Sequence, residues 1–455
     1  MYVMLHPGVA RGGTRLAMGC GLLAILGAGS GCVSPPPGRT AWLGLNTHVP
    51  ETTGWTARPT DERSEPVGSP VLAPLRELSV PMIRDRLMDW SRVQPAPDAR
   101  YDFSTSDAVI REAQAAGADV LVLFAGIPAW AAGTGPGGSP PARLPAREHA
   151  PAFASFVRSF VERYDGDAVE DMRGLRYPIR AYEFQSEIES LPTAEYAFWL
   201  RTFHDAVRKA DSRTVISLGS LRSPGVRGVH SSDSDDPDWF EQLLAEPALQ
   251  RGTFPPFQAI SFINYPPDYP GRVEFADALA YLRRVMADHG LNLPIWLTEY
   301  GGGGVAADEH RQAHQVVKWA LQARAQGIDR VYLGASREES IAGKNQSLLS
   351  GLVKPGEAGV IVKTPAFNAF AALLHELRRR PAVSRRAPGL YMLSGEGPPV
   401  FVMWQDEEFN LTSFLSPGWW EIRDFDGRTF LRQGADVQVT EAPKFLQRVR
   451  SPFIR

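Results

Sequence analysis

The chain has 455 residues, with 48 Lys and Arg against 51 Asp and Glu, and a formal charge of −3 at pH 7. It is 44% apolar and 22% charged, the balance of a soluble globular protein, which excludes collagen-like, disordered and polytopic membrane classes. The near-even charge argues against a dedicated nucleic-acid binder, and the length accommodates one large domain and a smaller one.

Residues 1–31 hold no acidic residue and two arginines, Arg11 and Arg15, followed by an apolar run over 16–29 that glycines interrupt. A basic start, a short apolar stretch and small residues before a cleavage point make a secretory signal. The run is too short and too Gly-rich for a transmembrane span. Gly29-Ser30-Gly31-Cys32 resembles a bacterial lipobox, in which the cysteine becomes the lipidated first residue of the mature chain. Cys20 fits less well, with only about one helical turn of apolar sequence before it. A plain signal peptide with an incidental cysteine is the alternative. Residues 32–40 then form a Pro-rich tether. With Cys32 at the new N-terminus no other cysteine remains, so neither a disulfide framework nor a thiolate metal site is expected. The expected location is exported, anchored to a bacterial envelope membrane through the lipid alone.

From residue 41 onward short apolar runs alternate with helical patterns. Strand candidates fall at 42–46, 81–86, 119–124, 180–187, 214–219, 258–264, 294–299 and 330–335, several of them apolar throughout, as suits strands covered on both faces. Between them, Phe153, Phe156, Val157, Phe160, Val161 and Tyr164 recur at helical spacing. Thr364-Pro365 reads as an N-cap with Pro at N1, ahead of an apolar face of Phe367, Phe370, Ala371, Leu374 and Leu377, and the arginines at 378–380 complement the helix C-terminus. The strand candidates lie about 41 residues apart on average, against roughly 31 per unit in a 250-residue (β/α)8 barrel, and loop insertions account for the excess. A doubly wound open sheet is the alternative, but no glycine-rich phosphate loop follows any of these strands. The fold class predicted is therefore α/β, a (β/α)8 TIM barrel over 41–380. After it, 389–394, 400–405, 410–415, 419–424 and 437–440 read as short strands between turns, giving a small antiparallel, β-sandwich-like accessory domain over 381–455.

In such a barrel the chemistry sits at the C-terminal ends of the strands. The fourth run ends Tyr182-Glu183-Phe184-Gln185-Ser186-Glu187, and the seventh reads Ile295-Trp296-Leu297-Thr298-Glu299-Tyr300-Gly301. A carboxylate closing a buried apolar strand is costly unless it is paired or functional. Two of them, three βα units apart, face each other across the barrel mouth if both turn inward. Opposed carboxylates are what glycoside hydrolysis uses, one as acid and one as nucleophile or base. The structural alternative is that each glutamate pairs with a nearby arginine or caps a helix.

The chain resembles the retaining glycoside hydrolases of clan A, most closely family 39 and its family 5-like relatives. Their fourth strand is aromatic-rich and ends Asn-Glu, and their seventh ends Thr-Glu followed by Tyr or Trp and Gly. The seventh-strand motif here matches closely. Asp89-Trp90-Ser91-Arg92-Val93-Gln94-Pro95, Tyr101-Asp102-Phe103-Ser104, Ile127-Pro128-Ala129-Trp130-Ala131 and Ser261-Phe262-Ile263-Asn264-Tyr265 look like other strand exits of such enzymes. The resemblance covers roughly residues 41–378. It implies that Glu299 is the nucleophile and Glu187 the general acid/base, acting by double displacement on an oligo- or polysaccharide, with no metal or cofactor.

One departure stands out. Ser186 occupies the position where the clan has an Asn that hydrogen-bonds the sugar 2-hydroxyl, and serine has a shorter reach and no amide NH2. It motivates a rival reading, a non-catalytic carbohydrate-binding lipoprotein on a decayed hydrolase barrel. A transglycosylase using the same residues is a third. Glu183 is expected to be a buried partner of an arginine, and Glu189 a loop ligand for sugar hydroxyls.

The supporting residues each have a structural alternative. Arg84, with Arg86 as its rival, is expected to hold Glu299 ionised. Tyr265 is a candidate donor to Glu299, and Asn264 a neighbouring contact. Trp90, Trp130 and Trp296 are candidate platforms for sugar rings. Asn46 and His48 leave the first strand toward a sugar hydroxyl. The loop at 231–236 reads as solvated acidic sequence, and the glycines at 301–304 as a turn, not a phosphate loop. The partners expected are a carbohydrate and the membrane through the lipid, without nucleic acid.

Overall fold

The computed structural model describes residues 41–47, 73–132, 143–222, 224, 238–264, 275–301, 309–334, 351–355, 361–405 and 411–450. The leader, the tether with Cys32, His48, the loop at 231–236, Tyr265 and the glycines after Gly301 lie outside the described residues.

All eight apolar runs become strands: β1 (Leu43–Asn46), β2 (Met82–Asp89), β3 (Asp119–Ala125), β4 (Ala181–Ser186), β5 (Val215–Ser220), β6 (Ile260–Asn264), β7 (Ile295–Tyr300) and β8 (Arg330–Leu333). They pair in the order β5-β4-β3-β2-β1-β8-β7-β6. The two ends of that order also meet. Leu218 N–H donates to Ala259 O at 2.9 Å and Leu221 N–H to Ser261 O at 3.0 Å, with parallel bridges Ser217 to Ala259 and Leu221 to Phe262. The sheet is a (β/α)8 barrel. Successive strands are followed by α1 (Ala73–Leu78), α2 (Ser104–Ala115), α3 (Ala150–Arg163), α4 (Thr193–Ala210), α5 (Trp239–Ala245), α6 (Phe275–Asp288), α7 (Glu309–Ala325) and α8 (Pro365–Arg379). A two-stranded ribbon, β9 (Val353–Pro355) with β10 (Ile361–Lys363), precedes α8.

The local reasons are those of the sequence. In β3 every residue after Asp119 is buried, because helices cover one face and the barrel interior the other. The apolar positions of α3 lie on one face and are all buried. Thr364 precedes α8 as expected, but its hydroxyl does not cap the helix. It donates to Gly351 O at 2.8 Å and Leu352 O at 3.0 Å, which ties α8 to the ribbon segment.

The barrel interior is filled in layers, because alternate residues of a strand face inward. Met82, Leu121, Ala181, Ala259, Trp296 and Tyr332 pack together as an apolar layer near the strand starts. Two residues further along, β2, β4 and β6 carry Arg84, Glu183 and Ser261. Arg84 Nε donates to Glu183 Oε2 at 2.6 Å, and Ser261 Oγ donates to Glu183 Oε1 at 2.8 Å. Neither strand pair is adjacent in the sheet, so these bonds run through the barrel interior.

The C-terminal segment forms one antiparallel sheet in the order β11-β12-β13-β16-β14-β15, from β11 (Ala382–Ala387), β12 (Leu390–Ser394), β13 (Val400–Met403), β14 (Trp419–Arg423), β15 (Thr429–Gln433) and β16 (Lys444–Val449). Tyr391, Leu393, Val400, Val402 and Phe445 share the barrel's apolar core. Buried Glu376 of α8 pairs with Arg380 and with Arg423 of β14, each at 2.6 Å. The opposite face carries Leu390, Met403, Trp420, Ile422 and Leu446 under Leu415 and Val437. That corrects two expected strands. Of the stretch 410–415, the described residues 411–415 contain a single turn of 3-10 helix, Leu411–Phe414, and 437–440 contains no strand. Leu415 and Val437 are apolar because they cover the outer face, not because they pair. β15, by contrast, is exposed at every residue and carries no apolar alternation to betray it.

Candidate active site

Glu299 lies near the C-terminal end of β7, where the register against β6 shifts between Phe262 and Ile263 and that against β8 between Leu297 and Tyr300. Such irregularities re-aim a side chain relative to the ladder. Glu299 is buried, 5% exposed, at the barrel mouth. Asn46 Nδ2 donates to Glu299 Oε2 at 3.0 Å, and Arg84 Nη1 lies 3.7 Å from the same oxygen. Arg84 thus stands between two carboxylates, Glu183 below and Glu299 above.

β8 lies between β1 and β7, so a side chain in line between them would separate Asn46 from Glu299. Gly334 supplies none. A Cβ there would sit 2.4 Å from Glu299 Cγ and 3.3 Å from Asn46 Nδ2. The contact between the two residues depends on that glycine.

Glu187 is the first residue after β4. The chain turns sharply here: Gln185 has φ +68° and Glu187 has φ +54°, left-handed values that non-glycine residues rarely adopt. Arg143, from the loop after β3, holds the turn. It donates to the carbonyls of Ser186 and Glu187, the latter at 2.8 Å, and to Ser190 Oγ at 2.7 Å. The Gln185 side chain answers with a bond from Nε2 to Arg143 O at 2.9 Å. The Glu187 side chain keeps 39% exposure, and its Oε2 lies 3.4 Å from Nη1 of Arg222, just past β5. Ser186 Oγ shares a hydrogen bond of 2.6 Å with Ser220 Oγ. Glu189 is buried, and its Oε1 accepts the Arg222 N–H at 2.5 Å, so it braces the loop after β5.

Two of the expected platforms are core residues. Trp90 is fully buried among Trp130, Phe153 and Phe156, with its indole N–H on Gln94 Oε1 at 3.0 Å, and presents no face to a ligand. Trp296 fills the lower barrel layer, with the Arg330 guanidinium 4.6 Å from its ring centroid. Trp130 is half-buried at the exit of β3, its indole N–H donating to Gln94 O at 3.1 Å. Asn264 ends β6 in register with Tyr300 and is half-buried. Arg86, the rival of Arg84, is half-buried on β2, and its charge pushes the Arg143 guanidinium down. Four residues of this region carried no sequence signal: Arg143 and Arg222 sit in loops without periodicity, and Ser220 and Gly334 are small residues at strand ends.

No protein-family model matches the chain, and no curated protein sequence does. Solved structures do. A glucosidase from Croceicoccus marinus superposes with a TM-score of 0.59 at 14% identity, over 92% of this chain and 98% of that one. A monomeric β-xylosidase from Caulobacter crescentus CB15 gives 0.57 at 14%, over 91% and 98%. A family 39 glycoside hydrolase from the gut symbiont Bacteroides cellulosilyticus WH2 gives 0.57 at 14%, over 83% and 77%. The fold is shared with glycoside hydrolases. At this identity the likeness is one of fold.

Proposed function

We propose that the protein is a retaining glycoside hydrolase acting on an oligo- or polysaccharide, with Glu299 as nucleophile and Glu187 as general acid/base. The observation that carries this reading is the seating of Glu299: a carboxylate at the mouth of a glycosidase-like barrel, fixed by Asn46 and by a buried arginine. The arginine keeps it ionised for attack on the anomeric carbon. Glu187 gives its proton to the leaving oxygen as the glycosyl–Glu299 ester forms. It then takes a proton from the water that opens the ester, so the configuration at the anomeric carbon is inverted twice and retained. Partly open Trp130 and Asn264 are the contacts proposed for sugar rings and hydroxyls. Export through the leader and a lipid on Cys32 complete the proposal, on the sequence alone.

The test is the stereochemistry of the first-formed product, followed by proton NMR on a glycan panel, with mass spectrometry of the protein trapped by a 2-deoxy-2-fluoro glycoside. Retention and a label on Glu299 are expected; inversion, or a label elsewhere, refutes the assignment. Gly334→Ala serves as a geometric check. It keeps both glutamates but forces the Glu299 side chain off Asn46, and misplacement of a reacting group by about 1 Å costs about 10²-fold in rate. The expected result is a loss of that order in kcat with little change in the urea midpoint.

A second reading, carbohydrate binding without turnover, draws on two observations. Ser186 spends its hydroxyl on Ser220, and Arg222 stands beside the carboxylate that must carry the acid proton.

A further inference from the structure

The loops around Glu187 concentrate cationic groups. Arg143 comes from the loop after β3, Arg222 from the exit of β5 and Arg86 from β2. Desolvation at the mouth pushes the Arg143 guanidinium below its usual value, Glu187 pulls it up, and Arg222 and Arg86 push it down again. Arg222 and Arg86 therefore both act on Arg143, beside Glu187 and Glu189. Like charges brought together repel unless an anion joins them. The Arg222 side chain keeps 28% exposure, so a ligand can reach it.

Arg222 also stands next to the proposed acid. Its Nη1 lies 3.4 Å from Glu187 Oε2, so a guanidinium stands beside the carboxyl group assigned the acid role. A guanidinium fork matches a carboxylate or sulfate with two parallel N–H bonds, and a neutral sugar offers no such partner.

We propose that Arg222, with Arg143 and Arg86 beside it, forms a subsite for an anionic substituent of the glycan, a carboxylate or a sulfate, on a sugar next to the scissile bond. The substituent on Arg222 seats the neighbouring sugar against Glu187, so that an acidic glycan is both bound and used in preference to a neutral one. This inference rests on the hydrolase reading for its second half only; the binding half stands without it.

The experiment uses the full chain with acidic oligosaccharides prepared from polygalacturonate, beside their carboxyl-reduced counterparts, and from chondroitin sulfate, beside desulfated, carboxyl-reduced and doubly treated (neutral) counterparts. Binding is measured by calorimetry in Glu299→Gln, and turnover in the otherwise unaltered protein. Acidic forms are expected to bind at least tenfold more tightly than their neutral counterparts, with the preference shrinking in high salt. In Arg222→Gln the preference should fall at least tenfold, and in Arg222→Lys it should survive in part, since the charge stays while the fork is lost. Circular dichroism and the urea midpoint check that both variants fold. Equal binding of acidic and neutral forms, or a preference untouched by Arg222→Gln, overturns the subsite. Turnover of neutral glycans only, unaffected at Arg222, overturns it while sparing the hydrolase reading. Acidic preference without any turnover keeps the subsite and refutes the hydrolase reading. The carboxyl-reduced and desulfated arms tell which anion is read.

Discussion

Glu299→Gln is expected to lower turnover of any glycan the protein cleaves by at least about 10³-fold, because a carboxamide cannot form the glycosyl ester and the loss of a covalent nucleophile is not made up by the groups around it. The change is nearly isosteric. Arg84 keeps its 2.6 Å bond to Glu183, so the barrel should fold as before and glycan affinity should persist. That combination, lost kcat with preserved binding, separates a nucleophile from a brace. A shorter variant sharpens the test. In Glu299→Ala, added azide is an anion small enough to fill the vacated space and attack in its place. It should restore turnover and yield a glycosyl azide of inverted configuration. If the protein binds glycans without cleaving them, the unaltered chain shows no turnover on the panel and Glu299→Gln changes nothing except affinity. Substrate hydrolysis that continues at the original rate in Glu299→Gln removes Glu299 from the mechanism.

What the sequence reveals follows from depth and periodicity. Parallel strands buried on both faces read as unbroken apolar runs, so all eight barrel strands are visible in it, and the carboxylate ending the seventh marks the mouth. Distance along a strand is as informative as identity. Trp296 lies three residues before Glu299, about 10 Å deeper at 3.3 Å per residue, and that depth places it in the floor of the barrel, away from a ligand. Trp90 and Trp130 are alike in sequence, and only the packing of α3 against the former decides which one is sealed. The turn at Glu187 is illegible for another reason. Its left-handed residues are Gln and Glu, where a sequence reader looks for Gly or Asn, and the arginine that imposes the geometry comes from a loop some forty residues away. Where a backbone shape is set by a distant side chain, local propensity has nothing to report. The same holds for the C-terminal sheet. Its predicted strands at 389–394, 400–405 and 419–424 carry buried apolar residues on one or both faces, whereas β15 is exposed throughout.

Glu183 shows how the barrel floor serves its mouth, and its replacement has the largest expected effect on stability. The side chain is fully buried and accepts from Arg84 and Ser261. Glu183→Gln removes the charge that balances Arg84 in the interior. Breaking one side of a buried pair costs about 3–5 kcal/mol, because the remaining charge stays desolvated. The urea midpoint should fall accordingly. Arg84→Met alone should cost a similar amount, since it strands Glu183. The double variant Arg84→Met/Glu183→Gln removes both charges from the interior and should be more stable than the two single costs predict, by about 1–3 kcal/mol of coupling. Strict additivity would show that the pair acts independently and would refute the network. The activity of Glu183→Gln carries the functional half. With Arg84 no longer held from below, Glu299 loses a partner of fixed position. The rate should drop by about 10–10²-fold in kcat, with KM changed far less, because Glu183 lies a layer beneath any bound sugar. A purely structural role would lower the urea midpoint and leave the kcat of the folded fraction intact. The expected fall in kcat distinguishes a residue that positions the nucleophile from one that only fills the barrel.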